Sequence, residues 1–184
     1  MKPSVKIALI CTVISAAISL LFFYTGYSFL GYKAEPFISL FLLLVSIAGG
    51  VFMFKQNENF AERSFLEDIK KAMQGGIMFT LLASGFIYIY HSKIDTSIID
   101  EKVEAFIATV KKNVPDEKTY FELQKNDPTW KDKSYLDYME NQEDSARGFI
   151  SAWSFSIIHT IVGMLLTVFF SIFVTVILRK VVLR

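Results

Sequence analysis

Four long apolar blocks alternate with polar segments along this chain of 184 residues. No charged residue lies between Lys6 and Lys33, between Glu35 and Lys55, between Lys71 and Lys93, or between Arg147 and Arg179. Each gap approaches or exceeds the roughly 20 residues needed to cross a hydrocarbon core of ~30 Å. The pattern predicts an all-α, polytopic membrane protein. Its four transmembrane helices are expected at about 7–30, 37–54, 72–90 and 149–178, as one membrane domain. Between the third and fourth lies 91–148, an extracytoplasmic helical insertion too small to be an independent domain.

The segments between the spans carry their own signals. Gly31 to Pro36 reads as a tight link, with Pro36 suited to the first position of span two because its missing N–H costs nothing there. In Lys55–Lys71 the residues Phe65, Ile69 and Met73 recur at four-residue spacing, which predicts an amphipathic elbow on the membrane surface. A solvated loop helix without lipid contact fits the same spacing. In the insertion, Asp95, Thr96 and Ser97 offer N-cap oxygens, and Ser97 with Asp100 has the spacing of a capping box. Ile99, Val103, Phe106, Val110 and Val114 form an apolar stripe that Pro115 ends, Asn126-Asp127-Pro128 reads as a turn, and Tyr135, Leu136 and Met139 mark a further short helix. A cleaved signal peptide does not fit the first block, whose apolar run exceeds the 7–15 residues of an h-region, and bulky Ile10 spoils a lipoprotein-like box at Cys11.

Orientation follows from the positive-inside rule. With the N-terminus inside, the inner segments hold nine basic residues against four acids, whereas the insertion holds nine basic residues against 13 acidic ones. Tyr24, Tyr27, Tyr32, Tyr88, Tyr90 and Trp153 then fall at the outer ends as an aromatic belt. The expected location is the bacterial inner (cytoplasmic) membrane, multi-pass, with both termini cytoplasmic.

Lipid is as apolar as leucine, so helices in a bilayer associate through small residues and polar contacts. Span one offers Ala8, Thr12, Ala16 and Ser19; span two offers Ser39, Ser46 and Gly50; span three offers Ala72, Gly76, Thr80 and Ala83. Span four has the longest stripe: Ala152, Ser156, Thr160, Gly163, Thr167, Ser171 and Thr175. Close helix packing is the expected role of these residues, and a polar path through the bundle is the alternative. The Gly49-Gly50 and Gly75-Gly76 pairs fit either hinges or tight packing.

Composition narrows the chemistry. The chain is 53% hydrophobic, above the 45–50% of soluble domains, and its single cysteine, Cys11, excludes an intrachain disulfide. An ionisable group inside a membrane is by default a functional hypothesis. This pattern places one inside a span, His159, between Ser156 and Gly163 on the helical surface. It could relay protons, line a substrate site or ligate haem iron. The other histidine, His91, falls at the end of span three, a different expected depth, which disfavours a shared haem. A neutral imidazole bonded to a neighbouring hydroxyl is the expected state, and no intramembrane carboxylate is expected to complete a relay. Phosphate-binding glycine loops, HExxH, paired cysteines and nucleophile elbows are all absent. Asp100, Glu101 and Glu104 form an acidic face that reads as solvated surface rather than a cation site.

Phe65 to Asp95 carries an amphipathic stretch and a glycine pair into a tyrosine-rich span, ending Tyr88-Ile89-Tyr90-His91-Ser92-Lys93-Ile94-Asp95. The charged helical insertion follows, and the chain closes with Ile177-Leu178-Arg179-Lys180. In this order of features it resembles an uncharacterised family, a domain of unknown function, of small four-span inner-membrane proteins common in Bacteroidetes. The resemblance covers most of the chain and implies the same topology. Its motifs are not catalytic, and it implies no activity and no site residues.

The expectation is therefore a non-enzymatic accessory or scaffold subunit of a larger inner-membrane complex, in envelope transport or secretion. Its partners would be the lipid bilayer and that complex, with no nucleic acid, no metal and no cofactor. The alternative is a small homo-oligomeric transporter or channel using the Ser/Thr stripe and His159.

Overall fold

A computed structural model describes residues 2–57, 64–131 and 133–182. Among these, every regular element is helical. Four helices are long and apolar enough to cross a membrane: α1 (Pro3–Tyr24), α2 (Ser28–Asn57), α3 (Phe65–Ile89, continued by one π-helical turn at Tyr90–Ile94) and, last in the chain, α7 (Ala152–Val182). Between them lie α4 (Ser97–Asn113), α5 (Glu117–Asn126) and α6 (Tyr135–Phe149). The chain forms two compact units, Met1–Ile89 with Phe155–Arg184, and Tyr90–Ser154.

The first reversal corrects the expected link. Gly26 adopts φ +77°, the left-handed conformation that glycine takes without steric penalty. Tyr27 N–H donates to Phe22 O at 2.9 Å and Gly26 N–H to Phe23 O at 3.0 Å, the paired bonds of a Schellman C-cap. α1 therefore stops at Tyr24, and α2 begins at Ser28 rather than Phe37. Gly31, Lys33 and Glu35 are helical, and Pro36 lies inside α2, where it removes one rung of the ladder at an exposed position.

The expected elbow is corrected as well. α2 runs through Lys55 to Asn57, and α3 already begins at Phe65, so Ile69 and Met73 belong to the first turns of the third span, not to a separate surface helix. The middle of the proposed elbow, 58–63, lies outside the described residues. α6 extends to Phe149, so the fourth span starts at Ala152.

The membrane-spanning unit mixes small polar residues into its interior and is apolar outside. Ser46, Thr80, Thr167, Ser171 and Thr175 are buried, while Val13, Phe41, Leu165 and Phe169 are exposed. A water-soluble protein would invert this order, whereas in lipid the exposed apolar surface costs nothing and buried small polar residues let backbones approach. A core of Ala8, Leu43, Ile47, Phe79 and Val174 draws on all four helices. Packing is tightest at four glycines, one of them Gly31, where a Cβ would lie 2.7 Å from Phe22 Cβ. A Cβ on Gly75 would lie 2.7 Å from the Ser46 carbonyl oxygen, one on Gly76 2.5 Å from Thr167 Cγ2, and one on Gly163 2.6 Å from Thr80 Cγ2. Ser46 Oγ donates to Gly75 O at 3.0 Å across the Gly75 contact.

The Tyr90–Ser154 unit is built around Tyr120, 1% exposed, whose hydroxyl donates to Lys133 O at 2.9 Å and whose ring packs 5.2 Å from that of Tyr138. Tyr135 O–H donates to Val114 O at 3.0 Å, tying α6 to the end of α4. In the α4 stripe Val103 and Val114 are buried but Phe106 is exposed. The expected Ser97–Asp100 capping box is absent. Thr96 is the N-cap of α4 and Asp95 takes the Ser97 N–H at 3.2 Å, since Asp95 sits one residue before the cap with its carboxylate already oriented by Tyr90 O–H. True caps stand further on: Asp116 accepts from Thr119 N–H, and Ser134 with Asp137 closes a reciprocal capping box on α6.

Two expectations follow. Gly76→Val should lower the unfolding midpoint of the purified protein, because overpacking costs about 1–3 kcal/mol. Gly85→Ala, where a Cβ meets nothing within 4 Å, should leave it unchanged or slightly raised. Thermal unfolding of both variants in one detergent checks this, and equal losses would contradict the close-approach account. In the second unit, hydrogen bonding from the Thr119 and Ser134 backbones holds the Asp116 and Asp137 carboxyls below the usual range. A folded value below the unfolded one gives stability that is present above the ordinary aspartate value of about 4 and is lost as pH falls through the depressed folded values. Amide-exchange protection of α5 and α6 should therefore weaken in acid below that value. Ser134→Ala should cost α6 about 1 kcal/mol at neutral pH.

Candidate functional site

Two charged clusters bracket the membrane-spanning unit. The first joins α2, α3 and α7. Asp68, 1% exposed, takes the Lys55 ammonium on Oδ1 at 2.8 Å and the Arg179 Nε–H on Oδ2 at 2.9 Å. Lys55 is itself buried, with a side chain 6% exposed, while Arg179 is partly open and its guanidinium lies 5.5 Å from the centroid of the Phe65 ring. A buried carboxylate tolerates removal from water only when paired and hydrogen-bonded, and this one has a cation within ion-pair distance of each oxygen and a hydrogen bond from Arg179 at Oδ2.

The second cluster centres on His159 of α7. Its Nε2 lies 2.8 Å from Ser39 Oγ of α2, and its Nδ1 lies 3.0 Å from Ser84 Oγ of α3. Glu35 Oε1, one helical turn before Ser39 on α2, is 3.7 Å from the same Nε2. Ser156 Oγ, one turn before His159 on α7, donates to Ser84 O at 2.9 Å and so fixes the backbone of α3 against α7. The expectation of a histidine bonded to neighbouring hydroxyls describes this geometry. It gives the ring no carboxylate neighbour, whereas Glu35 lies within α2 beside it, because the chain reverses at Gly26 and not at Gly31–Pro36. With hydroxyls at both ring nitrogens, ligation of iron at Nε2 would displace Ser39.

The clusters are separated by a fixed length of helix. At 1.5 Å per residue, Glu35 and Lys55 are about 30 Å apart along α2, and His159 and Arg179 about 30 Å apart along α7. That is the thickness of a hydrocarbon core. Between them on α7 lie Gly163, Thr167, Ser171 and Thr175, all buried. Thr167 Oγ1 is 3.5 Å from Thr80 Oγ1, while Ser171 Oγ and Thr175 Oγ1 have no hydrogen-bond partner among the described residues. Thr160 sits beside the stripe, half-buried, and donates back to the Ser156 carbonyl at 2.8 Å. Ala152 is buried, and Gly76 and Thr80 meet Thr167 and Gly163 respectively.

The remaining candidates do not assemble. Asp100 pairs with Arg147 at 3.3 Å on an exposed surface, and no group of three His, Cys, Asp or Glu able to hold a metal occurs among the described residues. His91 Nδ1 lies 3.4 Å from Asp95 O within the Tyr90–Ser154 unit. Sequence reasoning missed Glu35 and Asp68. The available signal was spacing: Glu35 and Ser39 share a helical face, as do Asp68, Ala72 and Gly76, once the helices are extended beyond the uncharged windows.

No family model, curated protein or solved structure matches this chain.

The first cluster carries a sharp expectation. Removing one partner of a buried ion pair leaves an uncompensated charge and costs about 3–5 kcal/mol. Asp68→Ala should therefore unfold or strongly destabilise the protein. The triple change Lys55→Met, Asp68→Leu, Arg179→Met should recover most of that loss, because apolar replacement of the whole group is close to neutral. Unfolding midpoints of both variants decide the matter. A triple variant no better than Asp68→Ala would argue against mutual compensation.

Proposed function

We propose that this protein is a non-enzymatic accessory or scaffold subunit associated with a larger membrane complex of the bacterial inner membrane, in envelope transport or secretion. The observation that carries the reading is the lock on α2, α3 and α7. Asp68 is held by cations from the two flanking helices, and Gly75, Gly76 and Gly163 leave no room for a Cβ at the helix contacts. Alternating access requires helices to slide or rock against one another around a site. These contacts oppose such motion and suit a rigid frame. The chain devotes its remaining residues to a small helical unit stabilised by aromatic packing and caps, without a catalytic constellation among the described residues. The excess of Lys and Arg beside the Asp68 end of the helices supports placing that end, and both termini, in the cytoplasm.

A second reading, a small homo-oligomeric transporter or channel, is favoured by one observation. Glu35 and His159 put two ionisable groups within 3.7 Å of each other in the spanning unit, and such groups commonly mark transport paths. The Ser/Thr stripe of α7 would then supply the remaining polar surface.

Purification of the tagged protein in mild detergent, with mass spectrometry of what accompanies it, separates the two. The accessory reading expects a stoichiometric complex with larger membrane subunits, and a His159→Ala variant that still assembles. A homo-oligomer alone, with solute flux in liposomes that His159→Ala abolishes, would replace it with the transport reading.

A further inference from the structure

We propose that Glu35, Ser39, Ser84 and His159 form a proton-binding site in which the imidazole takes up a proton and the Glu35 carboxylate compensates the charge. The argument begins with the two hydroxyls. A neutral imidazole has one N–H and one bare nitrogen, whereas the cation has an N–H at both. A serine hydroxyl can donate or accept, so Ser39 at Nε2 and Ser84 at Nδ1 serve the neutral and the charged ring equally well. They hold the ring in place without choosing its state. Glu35 does choose. At 3.7 Å from Nε2, its carboxylate favours the cation alone.

Nothing else in the structure accounts for Glu35. Its side chain is 28% exposed, it sits inside α2, and His159 is its one polar partner among the described residues. Lys33, two residues earlier, instead stays against its own helix, its ammonium 4.2 Å from the centroid of the Phe29 ring. The apolar stretches of α1, α3 and α7 bring no Asp, Glu, Lys or Arg to the site. α1 carries none between Ile7 and Tyr24, α3 none between Ala72 and Ile89, and α7 none between Ala152 and Leu178. Of the nearby weak acids, Tyr32 packs its ring 6.1 Å from that of Phe155, Tyr88 is exposed, and Cys11 is buried on α1.

The far end of the unit keeps this proton from crossing. Asp68 holds two cations, so the Lys55–Asp68–Arg179 group is net positive and a poor acceptor. A proton at His159 therefore finds no free carboxylate to accept it at that end of the unit. The site stores a proton instead of conducting it. Protonation adds an ion pair between α2 and α7 at the end of the unit opposite the Asp68 group.

The test uses the full chain in lipid nanodiscs with its imidazole nitrogens isotopically labelled, titrated by NMR from acid to neutral pH. Only two histidines are present, so His91→Gln assigns the signals. In the wild type, His159 should gain a proton at both nitrogens as pH falls. In Glu35→Gln the loss of the carboxylate makes the cation harder to form, and the midpoint should move to more acid pH by about one unit or more. An unchanged midpoint, or a ring that stays neutral throughout, overturns the proposal. Should Glu35→Gln fail to fold, labelled glutamate carboxyl carbons in the wild type give a second reading. The Glu35 signal must move with the His159 midpoint, and independent behaviour overturns the proposal equally. Proton flux across liposomes should be no greater than in protein-free vesicles. Conduction would refute the storage of a proton at a closed site.

Discussion

The Asp68 carboxylate is the constraint on which the spanning unit depends. It comes from α3, and its two oxygens receive a lysine from α2 and an arginine from α7. In lipid the hydrophobic effect does not distinguish one helix neighbour from another, so association must be specified by contacts with direction. A carboxylate has two acceptor edges, and using each for a different helix fixes three elements at one point. With Asp68 fixed at that end, the vertical register of α2 against α3 and of α7 against α3 is set. The glycine contacts higher up work only in that register: Gly75 against Ser46, Gly76 against Thr167, and Gly163 against Thr80. A one-turn slip of α7 would bring a side chain where Gly163 now leaves room for Thr80.

The small polar residues between the two charged ends act in series with this anchor. Ser46 bonds the Gly75 carbonyl and Ser156 the Ser84 carbonyl, so each hydroxyl closes onto the backbone of a neighbouring helix rather than its own. By contrast Thr12, Ser19 and Thr160 donate back to carbonyls one turn earlier in their own helices. The same residue types thus divide into helix-joining and self-satisfied groups. The buried face of α1 shows the consequence. It is made of Ser4, Ala8, Cys11 and Ser15, so of the expected stripe of Ala8, Thr12, Ala16 and Ser19 it keeps Ala8 and then runs one position earlier, through Cys11 and Ser15.

The number of spans and the helical class were legible in the sequence because expulsion of charge over some 20 residues has few other causes. The helix ends were not, and the reason lies in the charged residues. An uncharged window marks where a helix must be buried in lipid; it does not mark where the helix stops. Lys33, Glu35, Lys55, Glu67 and Asp68 were all read as outside the spans, and all are helical. Paired charges at the membrane boundary are tolerated, so the rule that removes them from the spans fails where pairing occurs. Gly26 was a stronger stop signal than Gly31 but lay within an uncharged run, and Pro36 looked like a helix start although an exposed proline can be carried inside one. His159 was legible as the odd polar group in span four. Its partners were not, because Ser39 and Ser84 stood among many serines and Glu35 had been assigned to a link.

The two charged groups also locate the unit in the bilayer without reference to its termini. Glu35 precedes Lys55 on α2 by the same number of residues as His159 precedes Arg179 on α7, and that number corresponds to about 30 Å of helix. Two parallel helices that each place ionisable groups one hydrocarbon thickness apart, joined at one end by Glu35 and His159 and at the other through Asp68 of α3, have little freedom to tilt independently. Tilting one would draw a charged residue into the apolar layer or pull it from its partner, and either change is opposed by the cost of an unpaired charge in a medium of low dielectric. α7, at 31 residues, is longer than a hydrocarbon core of ~30 Å needs, and its stretch from His159 to Arg179 matches that thickness. Hence the segment of α7 between these two residues, the one bearing Gly163, Thr167, Ser171 and Thr175, is the part that the pairing holds at membrane depth. The seven residues of α7 before His159 and the three after Arg179 are free of that requirement.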